Sequence, residues 1–180
     1  MIHTPVLLNE VLEYLKPRSG GRYIDATMNG GGHTLAIAER VQPDGVVLGI
    51  EWDSELLKQF KLKGESLKFK DTIIPVNDSY VNLKSIAEKH DFRPDGILFD
   101  LGLSSWHYEA SGRGFTFKKN EPLDMRFNTE ARQTAAEIVN LYSVSELEQI
   151  FRDYGEEQFA GSISESIGLN RKKKPILTTE

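Results

Sequence analysis

The chain has 180 residues, of which 39% are hydrophobic and 27% charged, and a formal net charge of −5. This length allows one domain with a smaller lobe, and the charge argues against a bulk electrostatic grip on nucleic acid while leaving room for a local basic face. The chain has no cysteine, no apolar run long enough to span a bilayer, no signal-peptide layout and no metal-ligand spacing among its four histidines, so we expect a cytoplasmic protein without disulfides, a metal or a membrane partner.

Strands and helices alternate through the first hundred residues. Helical spacing predicts a first helix over residues 6–15. Hydrophobic runs then predict four strands, with helices between them; the strands are at 22–26, 46–50, 72–76 and 97–101, and the helices at 34–41, 54–63 and 83–90. The fourth strand is apolar on both faces, which is typical of a buried parallel strand. This order predicts an α/β fold whose ligand site lies beyond the carboxyl ends of a parallel sheet.

The pattern changes after Gly102. Residues 103–128 are rich in turn formers and aromatic residues. Helical periodicity returns from Thr134, continues in a second helix capped by Ser143 or Ser145, and is expected again over residues 158–169. We therefore expect two domains, a sheet domain over residues 1–103 and a small helical lobe over residues 104–180.

A glycine-rich loop follows the first strand. After Asp25, the run Gly30–Gly31–Gly32 leads directly into a helix, so backbone N–H groups can approach a ligand at the positive end of that helix. Glu51 ends the second strand, where a carboxylate suits the two hydroxyl groups of a ribose. These residues predict a nucleoside-cofactor pocket.

Two phosphate-binding patterns are missing from this loop. His33 and Thr34 stand where a nucleotide hydrolase needs Lys-Ser/Thr, and G-x-G-x-x-G is absent. A cofactor with adenosine but no pyrophosphate fits best, which favours S-adenosylmethionine over NAD. Tyr80 and Asp100 also fall at strand ends. A histidine at a helix start, such as His33, more often caps or packs than catalyses.

Three further interpretations stay open on local grounds. Asp100 either ends a strand in a capped turn or lies beside the cofactor's methyl group, and the two readings are about equal. Aromatic residues between arginines, in residues 113–117 and 122–126, can stack an unpaired base and hold its phosphates. A compact loop with its own aromatic core is the slightly favoured alternative. The basic run 171–174 is most simply a solvated helix end.

A set of ordered motifs resembles one family. The motifs are HTPVLLNE at 3–10, DAT at 25–27, GGGH at 30–33, DGILFDLGLSS at 95–105, RGF at 113–115, PLDMR at 122–126 and YGEE at 154–157. Together they closely resemble the RsmH (MraW) family, which methylates the exocyclic N4 of a cytidine in 16S ribosomal RNA of the small ribosomal subunit.

The resemblance implies a fold and a cofactor site. The fold is a class I (Rossmann-like) S-adenosylmethionine-dependent methyltransferase sheet with a helical substrate-recognition insert after strand four. The sheet is expected to be incomplete here, because family members typically continue beyond residue 180 with further strands. The implied cofactor contacts are Gly31, Gly32, His33, Glu51, Tyr80, Asp100 and His107. Four positions depart from the usual residue: Glu51 for Asp, Tyr80 for Phe, His107 for Gln and Asn29 for Gly.

Roles in the reaction can be assigned on this basis. Asp100 is the first candidate to accept the N4 proton and Asp124 the second. The candidates for RNA contact are Phe115 and Phe117, with Trp106, for stacking, and Arg113 and Arg126 for the backbone.

Three functions follow as alternatives. The first is an RNA cytosine-N4 methyltransferase, with weak or no activity in this short chain. The second is a non-catalytic cofactor- or RNA-binding fragment that self-associates as a homodimer through the open edge of strand four. The third is an NAD-dependent oxidoreductase, which the missing glycine pattern disfavours.

Overall fold

The computed structural model describes residues 5–64 and 69–180, so His3 and Thr4 of the first motif lie outside the described residues. The chain divides into two compact units, Met1–Ser105 and Trp106–Glu180, each described by itself below. That these units serve as a cofactor domain and a substrate-recognition lobe stays a prediction.

Unit 1 alternates helices and strands as predicted. In chain order its elements are α1 (Leu8–Leu15), β1 (Arg22–Asp25), α2 (Gly32–Arg40), β2 (Val46–Glu51), α3 (Ser54–Gly64), β3 (Ile73–Asn77), α4 (Leu83–Lys89) and β4 (Gly96–Leu98). Short 3-10 turns precede β3 and α4, at Lys70–Thr72 and Tyr80–Asn82. The predicted type of every element in this unit is confirmed, with ends that differ by at most three residues.

The four strands form one parallel sheet in the order β3-β2-β1-β4. Arg22 is paired with Val46 in β2, and Tyr23 is paired with Gly96 in β4. β2 pairs with β3 from Val47 onward. The predicted parallel α/β sheet is therefore confirmed, and all four carboxyl ends lie along one edge.

Hydrophobic residues cover both faces of this sheet because neighbouring side chains of a strand point to opposite sides. Tyr23 and Val47 belong to one core cluster, which also holds Ile37 of α2 and Phe60 of α3. The next residues along the strands, among them Ile24, belong to the second cluster with Ile86 of α4. Helices thus bury the strands from both sides.

The prediction that the fourth strand is buried on both faces is wrong. β4 pairs with β1, and within the described residues no strand lies on its other side. Ile97 is 39% exposed, and Phe99 and Leu101 are more exposed still. The regular strand ends at Leu98 rather than at residue 101. An apolar sequence cannot distinguish an interior strand from an edge strand whose flank lacks a neighbour.

Unit 2 is helical, and a short helix, α5 (Ser105–Glu109), begins at the unit boundary. The three helices that follow are α6 (Ala135–Leu141), α7 (Val144–Gly155) and α8 (Ala160–Asn170). The first two of these begin at complete capping boxes, Thr134 with Glu137 and Ser143 with Glu146. These three helices were predicted; α5 was not, because five residues are too few to show helical periodicity.

Candidate cofactor site

The loop after β1 is organised by the buried carboxylate of Asp25. Its Oδ2 accepts a 2.7 Å hydrogen bond from the Thr34 hydroxyl of α2, and its Oδ1 accepts the Thr27 N–H at 3.2 Å. Burial in the protein interior raises the pKa of Asp25, against the effect of these two donors. The carboxylate therefore fixes both ends of the glycine-rich loop.

Backbone conformation explains the glycine at position 31. Its φ is +85°, and a Cβ there would lie 2.4 Å from the ring of Phe60. The left-handed region is costly for residues with a Cβ, and the clash adds to that cost. Asn29 also has positive φ, at 48°. Gly32 opens α2, so the loop delivers backbone N–H groups to the end of the sheet.

His33 is buried at the start of α2 and hydrogen-bonded on one side. Its Nε2 lies 3.0 Å from the carbonyl oxygen of Val6, which can only accept, so this nitrogen carries the proton. Its Nδ1 lies 3.6 Å from Oδ2 of Asp100. The ring thus connects the segment before α1 with the segment after β4.

Glu51 ends β2 as a buried carboxyl group. Its Oε1 accepts the N–H of Asp53 at 2.8 Å, and the N–H of Asn29 in the glycine-rich loop also hydrogen-bonds to it. Burial raises the pKa of Glu51 to about 8, because the charged form loses its hydration. This group holds β2 to the glycine-rich loop and presents an acceptor at the strand end.

Tyr80 and Asp100 lie at the same edge of the sheet, after β3 and β4. The Tyr80 ring is 43% exposed, and its centroid lies 5.9 Å from that of Phe99 in an edge-to-face arrangement. The Asp100 N–H donates to the Thr27 hydroxyl at 2.6 Å, and about a third of the Asp100 side chain is exposed. An accessible aromatic face and an accessible carboxylate therefore lie after β3 and β4.

Six of the seven predicted cofactor residues lie in unit 1, at the carboxyl ends of its strands: Gly31, Gly32, His33, Glu51, Tyr80 and Asp100. Sequence reasoning missed several polar residues that organise the same edge: Thr27, Thr34, Asp53, Asn77 and Asp78. Asn77 donates to the Glu51 carbonyl at 2.7 Å, and the Asp78 N–H donates to it at 3.1 Å. A position at or just after a strand end was the available signal for all of them except Thr34, which lies in α2.

The charge of this edge is acidic. The described residues at and after the ends of the four strands are 25–34, 51–53, 77–82 and 99–102. They include five carboxyl side chains and no Lys or Arg. A phosphate-bearing ligand would find no Lys or Arg on this edge to neutralise it, whereas a cationic group would lie among carboxyl groups that can attract it. Among the described residues, no group of three or more His, Asp or Glu side chains is arranged to hold a metal ion.

The seventh predicted cofactor residue, His107, lies in unit 2 and is fully buried. Its ring makes edge-to-face contacts with the rings of Trp106, Phe115 and Phe127, at centroid distances of 5.4, 5.2 and 4.9 Å. Its position is that of a core residue of this aromatic cluster. A cofactor role for it stays a prediction.

Both arginines that were predicted to contact RNA bind other groups of unit 2. Arg113 is 9% exposed, stacks 5.2 Å from the Trp106 ring and donates to the carbonyl of Arg126 at 2.7 Å. Arg126 binds both carboxylate oxygens of Asp124, at 2.8 and 2.7 Å, and this hydrogen bonding lowers the pKa of Asp124. These contacts are those expected of a compact loop with its own aromatic core, and Phe117 is 90% exposed. An RNA-contact role for Arg113 and Arg126 stays a prediction.

A parallel sheet with a glycine-rich loop after β1 and an acidic residue at the end of β2 defines a Rossmann-like, nucleoside-cofactor type of protein. The sequence profile of the MraW methylase family matches residues 1–180. The chain belongs to this family, which confirms the resemblance drawn from the motifs. Within the described residues, none of the helices has the length and apolarity that crossing a membrane requires.

Named relatives agree with this assignment. The chain is 44% identical over 178 residues to the ribosomal RNA small subunit methyltransferase H of Thermomicrobium roseum, covering 98% of this chain and 54% of the relative. It is 43% identical over 178 residues to the protein of the same name from Halothermothrix orenii, covering 98% and 56%. The chain therefore spans about half the length of the curated relatives it matches.

One solved structure gives a partial match. A protein described as a putative rRNA-methylase from Clostridium thermocellum aligns with a TM-score of 0.41 at 24% identity, over 43% of each chain.

Proposed function

We propose that unit 1 binds S-adenosylmethionine and that the chain belongs to an enzyme that methylates the exocyclic N4 of a cytidine in 16S ribosomal RNA. The observation that carries the cofactor assignment is the acidic edge of the sheet. Carboxyl groups follow every strand, and Lys and Arg are missing from the described residues there. Such an edge suits a cofactor that is cationic and carries no phosphate.

The residues present fit the parts of that cofactor. Glu51 lies where a carboxylate would accept the two ribose hydroxyl hydrogen bonds, and the exposed ring of Tyr80 offers an adenine face. Gly31, Gly32 and His33 supply backbone at the start of α2. The Asp100 carboxylate, about one-third exposed, would lie beside the sulfonium. When bound, the cofactor supplies an activated methyl group, so the protein's contribution is alignment and proton removal.

The proton acceptor can be argued from the two candidate carboxylates. The N4 amine of cytosine is a weak nucleophile because its lone pair is delocalised into the ring. An acceptor for an N4–H hydrogen bond localises that pair, and takes the proton as the new N–C bond forms. Asp124 is held by two nitrogens of Arg126, which lowers its pKa and weakens it as a base. Asp100 is one-third exposed, and we assign the acceptor role to it.

The relatives' name, ribosomal RNA small subunit methyltransferase, supports ribosomal RNA as the substrate, and Phe117 of unit 2 offers it an exposed aromatic face. Phe117 is exposed and is followed by Lys118 and Lys119. An exposed ring beside cations can stack an unpaired base and neutralise its phosphate. Since Arg113 and Arg126 bind groups of unit 2, we propose that they shape this loop and that Phe117 contacts the RNA.

Calorimetric titration of the chain tests the cofactor. We expect heat with S-adenosylmethionine and none with NAD, because the described edge offers a pyrophosphate neither a Lys or Arg nor a G-x-G-x-x-G loop. Glu51→Ala should weaken the binding of S-adenosylmethionine about tenfold or more, since it removes both ribose hydrogen bonds. Glu55→Ala, an exposed carboxylate on α3, is the matched control. Heat with NAD, or no heat with either ligand, would contradict the assignment.

Methyl transfer is tested separately. The chain is mixed with labelled S-adenosylmethionine and a 16S ribosomal RNA fragment or intact small subunits, and label in N4-methylcytidine is measured. Turnover that is lost in Asp100→Asn supports the enzyme. Cofactor or RNA binding without turnover supports the alternative of a binding fragment, which is consistent with a chain that spans about half the length of its relatives.

A further inference from the structure

The Thr27 hydroxyl joins the loop after β1 to the segment after β4. The last backbone hydrogen bond between these strands runs from the Ala26 N–H to the Leu98 carbonyl, at 2.9 Å. Two residues further on, the Asp100 N–H donates to Thr27 Oγ1 at 2.6 Å. A side chain therefore continues the pairing where the strands part and the crevice opens.

Thr27 is itself held by a buried network. Its N–H donates to Oδ1 of Asp25 at 3.2 Å, and Oδ2 of the same carboxylate accepts the Thr34 hydroxyl of α2 at 2.7 Å. At the other end of the link, the carboxylate of Asp100 lies 3.6 Å from Nδ1 of His33. Asp100 is thus restrained through its backbone by Thr27, and its carboxylate lies beside the histidine ring.

We propose that Thr27 is a positioning residue for cofactor binding and acts through Asp100. This inference rests on the proposed function, in which the Asp100 carboxylate faces S-adenosylmethionine. The hydroxyl substitutes for a strand carbonyl and fixes the start of the segment after β4, so that the carboxylate is in place before the ligand arrives. Pre-organised groups lose less conformational freedom on binding, and affinity rises accordingly.

The chemistry of the side chain makes the inference testable. Valine has nearly the shape of threonine but cannot accept the Asp100 N–H, whereas serine keeps the acceptor and loses only a methyl group. We expect Thr27→Val to weaken S-adenosylmethionine binding about five- to tenfold in calorimetry, the size of one lost hydrogen bond. Thr27→Ser should stay within about twofold of the unmodified chain. If Thr27→Val does not fold, Thr27→Ala replaces it.

A second threonine with a hydrogen-bonded hydroxyl provides a matched control. Thr72 Oγ1 accepts a 2.6 Å hydrogen bond from Nε2 of Gln42, and Thr72 precedes β3 at the amino ends of the strands, opposite the site. Thr72→Val should therefore lower thermal stability to a similar degree and leave cofactor affinity unchanged. A merely structural role for Thr27 predicts the same behaviour for both valine variants.

A double-mutant cycle decides whether Thr27 acts through Asp100. In the Asp100→Ala background, Thr27→Val should change affinity less than twofold, because the group that it positions is gone. Full additivity would overturn the inference, as would unchanged affinity of Thr27→Val in the otherwise unmodified chain. Absence of S-adenosylmethionine binding by the unmodified chain would instead refute the proposed function, and this inference with it.

Discussion

Replacing Glu51 with Gln should change how the stability of the protein depends on pH. In the folded protein, burial raises the pKa of Glu51 from 4.5 to about 8. Between these two values the folded state keeps a proton that the unfolded chain has released. The free energy of unfolding therefore falls as the pH rises through this interval, and the loss is complete once Glu51 is ionised in both states.

The size of this effect follows from the same interval. At about 1.36 kcal/mol for each pH unit, a change from 4.5 to about 8 corresponds to a loss of about 5 kcal/mol. This value is an upper bound, because water entry and local rearrangement ease the ionised state. We expect a measured loss of at least about 2 kcal/mol. Glutamine keeps an oxygen that can accept the Asp53 N–H and does not ionise.

Urea unfolding at pH 5 to 9, followed by the fluorescence of the adjacent Trp52, measures the effect. The stability difference between Glu51→Gln and the unmodified chain should shift in favour of the variant as the pH rises. Titration of the buried Asp25 is common to both proteins, so only its electrostatic coupling to Glu51 remains in the difference. Glu55→Gln, which changes an exposed carboxylate, should follow the unmodified chain. Parallel curves for Glu51→Gln and the unmodified chain would refute the burial argument.

Three further substitutions test other parts of the structure. Gly31→Ala should lower the free energy of unfolding by about 2–4 kcal/mol. Gly20→Ala should cost only about 1 kcal/mol, because Gly20 also has positive φ but has open space around it. Equal losses in denaturant unfolding would contradict the steric argument. Ser143→Ala should cost about 1 kcal/mol by loss of the α7 cap, measured as reduced thermal stability. Phe117→Ala should weaken RNA binding about fivefold or more in filter retention, whereas the similarly exposed Tyr154→Ala should not.

Much of unit 1 could be predicted from the sequence because its signals are local. Apolar runs such as residues 46–50, bounded by turn formers, mark strands, and their alternation with helices implies parallel pairing. Parallel pairing in turn places strand-end residues on one edge, which is why Glu51 and Asp100 could be selected. The composition of β4 could not predict its exposure, since this depends on which strands are neighbours; the open edge was expected only from the family resemblance.

The loop over residues 113–126 shows a different limit of prediction from sequence. Composition indicated that Arg113 and Arg126 are cations near aromatic rings, and either a phosphate or an internal carboxylate satisfies a guanidinium group. The structure uses carbonyl groups and Asp124 for this purpose. Thr27 shows the same limit, because a hydrogen bond to a residue 73 positions away leaves no local pattern.

The strand order also has a consequence for how the protein folds. β1 and β2 are joined by one short crossover, from Arg22 to its partner Val46. Tyr23 meets Gly96 only across a longer loop that contains three crossovers, through α2, α3 and α4. Closing the longer loop costs more chain entropy, so we expect β4 to join an already assembled sheet. Pulse-labelling hydrogen exchange should then show protected amides in β2 before those of β4. The candidate cofactor site would then form in the last step of folding, when Asp100 reaches Thr27 in the loop after β1.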